Sequence, residues 1–129
     1  MEFADNNFPP RASFSDNGTQ YYAQVSATGR SNTIGLIVYD TKAIEEKDYS
    51  GFVITPTTGS NTLYGAILTY TEGILEYSTE SISNPSVHVE ITEITANSVR
   101  GEFSGILRSQ NGNADINITE GKFYAGIIE

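Results

Sequence analysis

Few side chains in this sequence could perform acid–base or nucleophilic chemistry. The chain has one histidine, His88, and no cysteine, so any imidazole base would have to be His88. The alternation in VHVEIT places His88 beside Glu90 on the solvent-facing side of a predicted strand, where a histidine is more often a surface residue than a base. Carboxylate catalysis would need a pair such as Glu90 and Glu102 to converge in one pocket. We therefore predict a non-enzymatic protein with no catalytic residues.

Motifs for metal, phosphate or covalent chemistry are incomplete. Ser104 lies between Gly101 and Gly105, but the Gly-x-Ser-x-Gly motif of a nucleophile elbow needs the serine one position earlier, at residue 103. The loop at residues 111–115 has alternating oxygen ligands like a calcium loop, yet Lys122 stands where the bidentate glutamate is needed. A zinc site normally recruits several His or Cys ligands, and no Walker-type phosphate loop is present. We predict no metal and no cofactor, and the sequence leaves the ligand-binding residues unknown.

Length and charge limit the class of protein. A chain of 129 residues is the size of one domain. The net charge of -9 disfavours nucleic acid and anionic membrane surfaces as partners. No apolar run approaches the roughly 18 residues of a membrane helix, and the start MEFADNNFPP lacks the features of a signal peptide. Two interpretations stay open: a cytoplasmic protein that begins at a native Met1, or an exported protein in which Met1 replaces a removed signal.

Short runs rich in Thr, Val, Ile, Tyr and Phe, separated by turn residues, predict an all-β fold. We expect residues 1–12 to be a flexible tether and residues 13–129 to form a single antiparallel domain, either a sandwich or a flattened barrel of eight or nine strands. Residues 41–49 are the one short helix candidate, and they could equally form a polar loop. The predicted strands are 20–28, 33–40, 50–55, 62–71, 74–79, 86–95, 98–109 and 114–128, with a short one at 12–15 before the Asn17-Gly18 turn.

Two breaks in the alternation predict β-bulges. Val89 and Ile91 share a face, but the next apolar residue, Ile94, follows after three positions, which indicates a bulge near residues 92–93. In the last strand the apolar face shifts by one position, and Gly121 is the natural site of that bulge. We expect this strand to pair with the strand before it and to close against the first.

Two glycines share a predicted inward face with Phe103. A glycine there permits an aromatic ring of a neighbouring strand to lie over its backbone, and it lets the strand bend as a sheet curls over its core. We interpret both as architectural rather than ligand-facing. The alternating residues of this face are Val99, Gly101, Phe103, Gly105 and Leu107.

The chain has eight tyrosines and no tryptophan. Tyrosine combines an aromatic face with a polar tip, so a row of such rings could stack sugar rings. Tyrosine also occupies half-buried sheet positions for purely structural reasons. The residues are Tyr21, Tyr22, Tyr39, Tyr49, Tyr64, Tyr70, Tyr77 and Tyr124.

The stretch VHVEITEITANSVRGEFSGIL, followed after a polar loop by INITEGKFYAGI, resembles the C-terminal part of a family of uncharacterised small lipoproteins and secreted β domains of Bacteroidota. The matching residues are Gly101, Phe103, Ser104, Thr119, Gly121 and Phe123. The resemblance implies an exported, lipid-anchored domain with a sandwich or lipocalin-like barrel fold. The lipid-bearing cysteine of that family is absent from this chain, and the family supplies no catalytic residues.

These observations predict an exported cell-envelope domain, in the periplasm or at the outer-membrane surface, that binds a small ligand or a protein partner. Two alternatives remain. The first is a carbohydrate-binding module that uses surface tyrosines. The second is a structural or adhesive subunit that assembles by strand addition. The predicted partners are accordingly a small ligand, a glycan or an envelope protein, and a native start at Met1 would place the protein in the cytoplasm.

Overall fold

The computed structural model describes residues 11–28, 32–57, 59–81, 86–110 and 114–127. The predicted all-β class is confirmed: these residues form ten strands and one three-residue 3-10 helix, Thr79–Ser81. The strands are β1 (Arg11–Asp16), β2 (Tyr21–Thr28), β3 (Asn32–Asp40), β4 (Asp48–Ser50), β5 (Phe52–Thr57), β6 (Ser60–Glu72), β7 (Leu75–Ser78), β8 (Val87–Ile94), β9 (Ser98–Ser109) and β10 (Asp115–Ile127).

The strands form one sheet that closes on itself. Neighbouring strands follow the order β10-β1-β2-β3-β6-β7-β9, and β9 also pairs with β10 and thereby completes the ring. β8 and β4 extend the sheet beyond β9, and β5 pairs with β6. The predicted pairing of the last strand with both its predecessor and the first strand is therefore confirmed. The pairing with the first strand is parallel, joining Arg11 to Gly126 and Ala12 to Ile127, so the sheet is mixed rather than wholly antiparallel.

The ring is flattened over a single core. Strands β1, β2, β3 and β6 supply one inner wall, and β8, β9 and β10 supply the other. The walls are in contact, since a Cβ placed on Gly105 of β9 would lie 3.2 Å from Cδ1 of Leu68 on β6. The largest fully buried aliphatic side chains are Leu36, Leu68, Leu107, Val25, Val38, Val87, Val89 and Val99.

Both predicted bulges are confirmed. The register between β8 and β9 shifts between Ile91 and Glu93, and the register between β9 and β10 shifts between Ile118 and Gly121. At the second bulge the left-handed backbone is at Glu120, with φ 53°. An extra residue on one strand rotates the following side chains to the opposite face, which is why the apolar face of β10 changes parity.

Of the two glycines predicted to face inward, Gly101 makes room for an aromatic ring, whereas Gly105 lies against Leu68 of the other wall and not against a ring. Gly121 lies opposite Phe103 and Gly101 lies opposite Phe123 across the β9–β10 pair. A Cβ on either glycine would collide with the ring of its partner. The two rings lie side by side at a centroid distance of 6.4 Å. Each ring covers the backbone of a facing glycine, so the inner layer stays thin where the sheet curls.

Three details differ from the sequence-based prediction. The single strand expected at 50–55 is divided at Gly51, whose φ of 70° turns the chain between β4 and β5. No part of the helix candidate at 41–49 is helical: residues 41–47 are bends and irregular chain, as the loop interpretation has it, and Asp48 and Tyr49 belong to β4. Arg11 and Ala12, expected at the end of the tether, belong to β1, and residues 1–10 lie outside the described residues.

Candidate functional site

A groove runs over the outer face of β4, β8, β9 and β10. It has a volume of about 880 Å³. Successive side chains of these strands point alternately inward and outward. The apolar residues therefore fill the core, and the polar residues between them line the groove. Its lining consists of Asp48, His88, Glu90, Glu102, Phe103, Ser104, Glu120, Gly121 and Lys122.

Four charged side chains form one row across the groove. Asp48 on β4 is opposite Glu90 on β8, Glu90 is opposite Glu102 on β9, and Glu102 is opposite Lys122 on β10. Side chains of directly opposed residues have Cβ atoms about 4.5–5.5 Å apart. The row therefore places three carboxylates and one ammonium group side by side across four strands.

A second row lies one step along the strands. His88 is opposite Ser50 on β4 and Ser104 on β9. His88 Nδ1 also lies 3.5 Å from Asp48 Oδ2, and about half of each side chain is exposed. Protonation of the imidazole would convert this contact into an ion pair.

The β10 bulge sets the far wall of the groove. The positive φ of Glu120 and the shift in register bring Glu120 and Lys122 to the same lining. Beneath them the ring of Phe103 packs against Gly121, so the floor is part of the buried core. The groove thus lies directly over the packed core of the sheet.

The structure brings together the residues that the sequence singled out for acid–base and nucleophilic chemistry. His88, Glu90, Glu102 and Ser104 line one groove, and the pair Glu90 and Glu102 converges there as carboxylate chemistry would require. Sequence reasoning missed Asp48, because that residue fell within the helix candidate, and Glu120, because a bulge changes the face of the residues around it.

The other sequence candidates are not part of this site. Of the calcium-like loop, residues 111–113 lie outside the described residues. In the part of the chain that is described, no three His, Asp or Glu side chains are grouped to hold a metal ion. That same part contains no helix that is long and apolar enough to cross a membrane.

The tyrosines do not line one groove. Tyr49 is fully buried, whereas Tyr124 is 53% exposed on the outer face of β10, where Arg100 stacks 4.7 Å above its ring. Tyr70 and Tyr77 pair on β6 and β7. Tyr22 and Tyr39 pair on the outer face of β2 and β3, on the other half of the sheet.

Comparison of the chain with protein-family models, with curated proteins and with solved structures finds no match in any of the three.

Proposed function

We propose that this chain is a non-enzymatic binding domain of the cell envelope, exported from the cytoplasm, which holds a small ligand or a segment of a protein partner in the outer groove. The observation that carries the proposal is the charged row of Asp48, Glu90, Glu102 and Lys122, fixed in register across four strands. Paired strands fix the spacing of the Cβ atoms without a ligand, so binding has to order the side-chain rotamers but not the backbone.

The outer groove is a better site than the space inside the sheet. Leu36, Leu68 and Leu107 are at most 1% exposed, and they pack in one cluster with the rings of Phe103 and Phe123. In contrast, the groove is open and has polar walls. Its four carboxylates outnumber Lys122, which favours a ligand that carries amino or guanidinium groups.

Export rests on the resemblance to secreted β domains and agrees with the acidic surface. The matching residues lie on β9 and β10, and three of them, Phe103, Ser104 and Gly121, also belong to the groove. A location in the envelope would be tested by fractionating cells of the source organism and detecting the protein with an antibody.

The binding proposal is tested by NMR titration of the ¹⁵N-labelled chain with spermidine and with trilysine. We expect saturable shifts at the backbone amides of β8, β9 and β10, and a weakening of about tenfold, or about 1.4 kcal/mol, in the double variant Glu90→Gln/Glu102→Gln. Glu76→Gln on β7 is the matched control, because Glu76 is exposed and lies outside the groove. Equal affinity of the double variant and the control would reject the groove as the binding site.

One observation favours a second candidate function. Glu90 and Glu102 are opposed carboxylates in one groove, the arrangement that acid–base hydrolysis of glycosides uses. A general acid needs a carboxyl group whose pKa is raised by burial, but both side chains are exposed, so we place binding first. Turnover of nitrophenyl glycosides by the wild type, abolished by either single Glu→Gln substitution, would replace the binding proposal with an enzymatic one.

A further inference from the structure

A row of aromatic rings lies on the half of the sheet that does not contain the groove. Tyr22 on β2 is directly opposite Tyr39 on β3, and their ring centroids are 6.1 Å apart. The ring of Tyr39 in turn lies 5.9 Å from that of Phe52 on β5. All three side chains are half-buried. Because Ala23 and Val38 next to them point into the core, these rings belong to the outer face.

The row is continuous because of a glycine. Gly65 on β6 is the cross-strand partner of both Tyr39 and Phe52, and it has no side chain to separate the two rings. Its φ of 117° and the close approach of the Gly51 backbone leave no room for a Cβ. The three rings thus form one row across the four strands β2, β3, β6 and β5. Tyr39 and Phe52 are neighbours in this row although β6 lies between their strands.

The polar ends of this row are available to a ligand. The hydroxyls of Tyr22 and Tyr39 make no hydrogen bond within the described ranges, in contrast to the hydroxyl of Tyr49, which donates to Asp40. Burial of its ring, together with the nearby Glu80 carboxylate, raises the pKa of the Tyr39 hydroxyl, so this group stays a neutral donor. Glu80 is exposed and supplies an acceptor at the same place.

We propose that the row Tyr22–Tyr39–Phe52 is a carbohydrate-binding surface, separate from the groove, for a short oligosaccharide. Sugar rings have one apolar face and a rim of hydroxyl groups, which match aromatic rings flanked by hydroxyl and carboxylate groups. A core role would bury these rings between the walls of the sheet, whereas they lie on its outer side. The proposal does not depend on the function of the groove.

The test is titration with three hexasaccharides: β-1,4-linked glucose, α-1,4-linked glucose and β-1,4-linked N-acetylglucosamine. Because the chain has no tryptophan, its fluorescence comes from its eight tyrosines, two of which belong to the row. We expect at least one sugar to bind saturably, with NMR shifts around residues 22, 39 and 52. Tyr22→Ala and Tyr39→Ala should each weaken binding about tenfold, and Tyr39→Phe, which keeps the ring and tests only the hydroxyl, should weaken it less.

Two controls separate this surface from the groove. Tyr124→Ala removes an exposed ring from the opposite half of the sheet, and it should leave sugar binding unchanged. The variant Glu90→Gln/Glu102→Gln should also bind the sugar as the wild type does. Sugar binding that is lost in this groove variant would overturn the inference, and so would the absence of binding by all three hexasaccharides at millimolar concentration.

Discussion

The Tyr49 hydroxyl donates a buried hydrogen bond to Oδ2 of Asp40, at a distance of 3.0 Å. The same hydroxyl accepts the backbone N–H of Glu45 at 3.0 Å, and Lys47 Nζ lies 3.4 Å from the Asp40 carboxylate. Asp40 is only 2% exposed. Tyr49 thus connects the end of β3 to the loop at residues 41–47 and to β4, and it satisfies a carboxylate that would otherwise be costly to bury.

Tyr49→Phe should lower the free energy of unfolding by about 1–3 kcal/mol, because the buried Asp40 and the Glu45 N–H each lose a partner. Urea denaturation of the variant measures this change. Tyr124→Phe, which removes a hydroxyl at an exposed ring, is the matched control and should change stability by less than about 0.5 kcal/mol. Equal effects of the two substitutions would contradict the buried network.

Stability should fall as the pH rises from about 10 to about 12. Burial, aided by the bond to Asp40 and opposed by the Glu45 N–H, raises the pKa of Tyr49 from 10.0 to about 12. Between these values the unfolded chain has lost the phenolic proton while the folded chain retains it, so the folded state binds more protons and rising pH favours unfolding. Lys47 acts in the same direction, since its interaction with the Tyr64 side chain raises the pKa of its ammonium group above 10.5.

Urea midpoints at pH 9, 10 and 11 test this pH dependence. The decline should be shallower in Tyr49→Phe than in the wild type, because the variant lacks the phenolic proton at this position. Parallel declines in the two proteins would show that Tyr49 ionises normally in the folded state.

Gly101→Ala should destabilise the fold by about 1–3 kcal/mol, the usual effect of overpacking a core. The new methyl group would lie 2.6 Å from Cζ of Phe123 and against the carbonyl of Glu90. Gly126→Ala in the same sheet is the control, because nothing lies within 4 Å of a Cβ there. Alanine favours a strand over glycine by about 0.5–1 kcal/mol, so the control should be neutral or slightly stabilising, as measured by thermal and urea unfolding.

Glu120→Gly should stabilise the fold by about 1 kcal/mol, since a left-handed backbone strains a residue that has a Cβ. At the neighbouring Thr119, which has no positive φ, the same change to glycine should destabilise by about 0.5–1 kcal/mol. Differential scanning calorimetry compares the two variants. If both lower the melting temperature equally, the bulge stores no strain at Glu120.

Local sequence signals located the strands well because alternation and turn chemistry are properties of adjacent residues. The Asn17-Gly18 turn is visible as a turn dipeptide, and the slip after Ile91 and the bulge at Gly121 are visible as breaks in a period of two. Sequence signals could not divide the predicted 50–55 strand at Gly51, because that corner follows from hydrogen bonds of Gly51 with Val87 and Ala66, which are distant in the chain.

The sequence by itself determined the class of fold and the inward positions of Gly101 and Phe103, since each depends on residue types and short spacings. Only the tertiary structure decided which polar residues meet. The charged row consists of Asp48, Glu90, Glu102 and Lys122. Asp48 and Glu90 are adjacent in the row although they are 42 positions apart in the sequence, because strand register aligns them. Register depends on pairing between distant segments, and a shift of one residue would send each side chain to the opposite face.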